Sequence, residues 1–81
     1  MNDSNMFAKI FLYNFSQKLN SIVRLDFFSM YPSFISDLER QDFKSIKITL
    51  NYLLTNSKIT ESFYNLFVML FRKQNVDLST F

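Results

Sequence analysis

Three residue types that carry much of protein chemistry are missing from the 81-residue sequence: cysteine, histidine and glycine. Without cysteine there is no disulfide scaffold and no thiol nucleophile. Without cysteine and histidine together, zinc fingers and imidazole acid–base catalysis are excluded. The lack of glycine removes P-loops and dinucleotide fingerprints, because both bring backbone against phosphate where a Cβ does not fit. Tryptophan is absent, and Pro32 and Ala8 are the sole representatives of their types. Hairpin turn signals are therefore missing along the whole chain, and strand-type alternation never lasts beyond a few residues. Long apolar runs are also lacking. The longest, Leu66 to Phe71, falls far short of the roughly 20 residues that span a bilayer. Residues 1–12 show no basic start, long apolar stretch or small-residue cleavage site. No membrane span and a cytoplasmic location are the expectation, which the absence of cysteine fits.

What is present is bulky and apolar. Leu, Ile, Val and Phe make up 30 of the 81 residues, and 11 of them are Phe, with four Tyr besides. A net charge of only +2 with this apolar content belongs to folding chains and not to disordered ones. A chain of this mass buries roughly 64% of its unfolded surface, enough for a thin core. One domain over residues 1–81 is expected.

The first helix is expected over residues 4–23, with Asp3 or Ser4 as N-cap. Phe7, Ala8, Phe11, Leu12, Phe15, Leu19, Ile22 and Val23 share one broad face at about 100° per residue. A break is expected between Arg24 and Pro32, since proline biases Tyr31 away from helical geometry. Pro32 suits the first position of a second helix over 32–41, with Phe34, Ile35 and Leu38 inward. Asp42 caps a third helix over 43–56, in which Phe43, Ile46, Leu50, Leu53 and Leu54 recur at helical spacing. Thr60 caps a fourth over 60–74, with Phe63, Leu66, Phe67, Leu70 and Phe71 facing in. Tyr64, Val68 and Met69 widen that stripe, so this helix is expected to be the most buried. Residues 76–81 read as a tail docking through Leu78 and Phe81. Such helices bury a shared core by packing face to face, so the expected fold is all-α, a small antiparallel helical bundle of about four helices.

Catalysis finds little support in these residues. Asp3, Asp26 and Asp42 fall at expected helix starts, where capping and the positive helix end explain them. Asp37 and Glu39 are two residues apart and so lie on different helix faces. No carboxylate set has metal-ligand spacing, and no serine has a histidine base. The sequence therefore points to a non-enzyme with no metal and no cofactor.

Apolar residues on the wrong side are more informative. Met6, Ile10 and Tyr13 follow i, i+4, i+7 spacing, about 120° or more from the centre of the phenylalanine stripe. Ile48 and Tyr52 stand roughly opposite the Phe43–Leu50 face, with Lys44 beside them. Each stripe either meets another helix or forms a contact patch for another protein or a second copy, where Tyr and Met are favoured. A second reading is a nucleic-acid surface built from Lys44, Lys47, Lys58, Arg72 and Lys73, against which stands the small charge surplus.

From Leu38-Glu39 onward the chain runs through a helix ending Tyr52-Leu53-Leu54-Thr55-Asn56-Ser57-Lys58-Ile59. Thr60-Glu61-Ser62-Phe63-Tyr64-Asn65-Leu66 then opens the last long helix. This half of the chain resembles the small bacteriocin immunity proteins of lactic-acid bacteria. The resemblance implies a cytosolic antiparallel four-helix bundle that blocks a toxin–receptor complex at the inner face of the membrane, without catalysis. A phage or mobile-element antagonist of a host enzyme, of the anti-CRISPR kind, would work in the same physical way. A structural subunit of a larger assembly is a further alternative.

Overall fold

In a computed structural model the described residues are 4–81. The expected all-α class is the class observed. α1 spans Ser4–Lys18, α2 Ser21–Met30, α3 Ser33–Arg40, α4 Phe43–Thr55 and α5 Glu61–Lys73, followed by a 3₁₀ turn at Leu78–Thr80. The described residues contain no strand. The chain divides into two compact units, an N-terminal one ending at Asp42 and a C-terminal one covering Phe43–Phe81.

In the N-terminal unit, the continuous helix expected over 4–23 is interrupted. Asn20 adopts an extended backbone (φ −70°, ψ 163°), and its side chain accepts a hydrogen bond from the Val23 amide at 3.0 Å. An asparagine that satisfies an orphan amide starts a new helix more readily than it continues an old one. The stretch after it, expected to break, is helical as far as Met30, and the chain leaves helical geometry at Tyr31, before Pro32. Asp26 therefore lies inside α2 and not at a helix start. Pro32 already has helical angles (φ −64°, ψ −27°) directly before α3. The expected cap at Asp3 or Ser4 and the side chain of Ile22 lie outside what is described.

α1 packs chiefly on α3. Ala8, Phe11 and Phe15 from α1, Phe27 from α2, and Phe34 and Leu38 from α3 are buried. Phe7, Leu12 and Leu19 are half-buried, whereas Val23, expected inside, is exposed because it belongs to α2 beyond the break. Phe27 sits at the junction of the rings, edge-on to Phe28 and to Phe34, both with centroids 5.4 Å away. Phe28 in turn stands edge-on to Phe15 at 5.4 Å. Offset and edge-to-face pairs of this kind add to simple burial. Asp37 is the one buried charged residue among those described, and it is paired with Arg40 a turn later.

In the C-terminal unit α4 contacts both α5 and the 3₁₀ turn. Ile46, Leu50 and Leu53 are buried from α4, Phe67, Leu70 and Phe71 from α5, and Leu78 from the turn. Thr60 Oγ1 accepts from the Phe63 amide at 3.1 Å and starts α5. The apolar stripe of α5 is narrower than expected: Tyr64 and Val68 are half-buried and Met69 is exposed. Phe81 is half-exposed, its ring 5.6 Å from that of Phe43.

Helix ends show how a chain without glycine turns. Gln41, Ser57 and Asn75 all have positive φ (55°, 58° and 65°). At each, two amides bond back in the paired pattern of a Schellman motif. The bonds are Asp42 to Asp37 and Gln41 to Leu38, Lys58 to Leu53 and Ser57 to Leu54, and Val76 to Phe71 and Asn75 to Arg72.

Candidate functional site

α4 presents two faces. Ile46, Leu50 and Leu53 are buried, while Lys44, Ile48 and Tyr52, at i, i+4, i+8, are all exposed, Ile48 by 59% and Tyr52 by 62%. The helix repeat places them along one ridge. On α1 of the other unit, Met6, Ile10 and Tyr13 are also exposed, Tyr13 by 65%, and Ala8, Phe11 and Phe15 are buried. Leu25 and Met30 on α2, in a stretch expected to be irregular, are exposed apolar residues that the sequence reading passed over, and Met69 on α5, expected to widen the inward stripe, is exposed as well.

Lys47 and Arg72 line a common cleft of about 440 Å³ in the C-terminal unit, together with Asn51, Tyr64, Asp77 and Ser79. Lys44, Lys58 and Lys73 do not line it. Lys44 belongs to the α4 ridge, Lys58 to the connection before α5, and Lys73 to the last turn of α5; all three are exposed.

The cleft is assembled from residues remote in sequence. Tyr64 donates its hydroxyl hydrogen to Asn51 Oδ1 at 2.9 Å, joining α5 to α4. Lys47 Nζ donates to the main-chain oxygen of Phe81. Asp77 Oδ1 accepts from the Ser79 amide at 3.0 Å and from the Ser79 hydroxyl at 2.7 Å, which closes the 3₁₀ turn. The hydroxyl bond first, then the amide bond, hold the Asp77 carboxyl below the usual carboxylate range, with smaller help from the charges of Arg72 and Lys47. The sequence signal for this corner is Asp77-x-Ser79, an aspartate two residues before a hydroxyl residue.

Among the described residues no three His, Cys, Asp or Glu side chains are grouped as a metal would need. No described helix is long and apolar enough to cross a membrane. Compared with known proteins, the chain matches no family model, no curated protein and no solved structure.

Proposed function

We propose that this chain is a non-enzymatic, cytoplasmic protein-binding protein that acts by occupying a partner's surface, as an inhibitor or immunity factor does. The supporting observation is the α4 ridge: a large aliphatic and a tyrosine more than half exposed on a helix whose opposite face is buried. Aliphatic and aromatic side chains left in water gain free energy when a partner covers them, at about 25 cal/mol per Å² of apolar area. Lys44 at one end of the ridge supplies orientation through its charge. Met6, Ile10 and Tyr13 form a second patch of the same chemistry. A host-enzyme antagonist of phage origin is the alternative within this mode, and neighbouring genes separate it from bacteriocin immunity.

The test is affinity capture from the native cell with the wild-type chain and with the Ile48→Ser, Tyr52→Ser double variant. One partner should be retained by the wild type and lost by the variant, with helical content and melting unchanged. Equal retention by both would reject the ridge as the contact.

A further inference from the structure

The cleft of the C-terminal unit is separate from the ridge reading and carries chemistry of its own. Lys47 and Asn51 stand one turn apart on α4, and Tyr64, Val68 and Arg72 recur every four residues on α5. Val68 and Leu78 supply the apolar part of the lining. Asn51 Oδ1 is occupied by Tyr64, which leaves the amide hydrogens of Asn51 to donate. Asp77 Oδ1 is taken up by the two bonds from Ser79, so this carboxylate serves the turn. Lys47 spends one donor on Phe81 and keeps two more, while Arg72 offers a planar fork of five. Side-chain hydrogen-bond donors are thus in excess: Arg72, Lys47 and Asn51 offer them, while the one side-chain carboxylate of the lining, Asp77, is engaged by Ser79.

We propose that this cleft binds a carboxylate group, held by Arg72 and Lys47 with Asn51 as a neutral donor, the attached apolar carbon resting on Val68. Asp77, in the same lining, repels a phosphate dianion more strongly than a monoanion. The group belongs either to a free organic acid or to an acidic side chain of a protein.

Titration of the isotope-labelled full chain, followed by amide and side-chain NMR shifts, decides this with four probes: benzoate, N-acetyl-aspartate methylamide, inorganic phosphate and neutral benzamide. Saturable shifts at Asn51, Arg72 and Ser79 are expected with a carboxylate and not with benzamide. The tighter of benzoate and the capped aspartate identifies the source. Arg72→Gln and, separately, Lys47→Gln should each weaken binding roughly fivefold or more with the helical signal retained. Equal response to benzamide, tighter binding of phosphate, or affinity unchanged in both variants would overturn the proposal, as would no response to either carboxylate. The Ile48→Ser, Tyr52→Ser variant should bind benzoate normally, so the cleft and the ridge fail or stand separately.

Discussion

Gln41, Ser57 and Asn75 hold left-handed backbone that glycine adopts without steric cost. Gln41→Gly and Ser57→Gly should each raise stability by about 1 kcal/mol, whereas Asn75→Gly should gain only a few tenths, because asparagine tolerates this region. Urea midpoints at constant slope are the measure; a loss of stability at Gln41 and Ser57 would refute the account. Asp77 makes a second prediction at this scale. Its folded carboxyl titrates below the unfolded value, so its contribution is complete above about pH 3.9 and is lost as pH falls through the lower folded value. The Ser79 amide resonance should therefore hold steady down to about pH 4 and move only in stronger acid. A transition centred above pH 5 would contradict the two bonds from Ser79.

Among the elements, α4 gives the sharpest contrast between faces. Leu50→Ala empties a fully buried site and should cost about 2–5 kcal/mol. Ile48→Ser, on the exposed ridge, should cost within about 0.5 kcal/mol. Chemical denaturation of the two variants checks the difference, and comparable losses would mean that Ile48 is a core residue. Asn20→Ala removes the α2 cap and should cost about 1 kcal/mol, read as faster amide exchange in the first turn of α2.

α4 and α5 were legible because polar caps and apolar spacing agree there: Thr60 opens α5 and Leu50 and Leu53 keep the inner face of α4. The α1–α2 boundary was not, since Leu19, Ile22 and Val23 continue the helical spacing straight across it while only Asn20 argues for a stop. The ridge could be read from Ile48 and Tyr52 alone, because one helix defines it. The cleft could not: Asn51 meets Tyr64 across 13 positions and Lys47 meets Phe81 across 34, and local pattern does not encode such meetings.

For the molecule as a whole, the surplus of charge is small. Nine basic residues against seven acidic ones, with only Lys47 and Arg72 of the candidate cations sharing the cleft, neutralise few phosphates at once. Binding to a generic DNA duplex should be weak, with a log–log salt slope of magnitude below about 2. A slope near −5 would favour the nucleic-acid reading.

With tryptophan absent, the four tyrosines own the intrinsic ultraviolet emission of the chain. Tyr13 and Tyr52 lie open to solvent, but Tyr64 has its phenol hydrogen committed across the α4–α5 seam. That hydroxyl is a native optical gauge: when the seam opens, its share of the summed tyrosine absorption and emission changes, with no dye or inserted label.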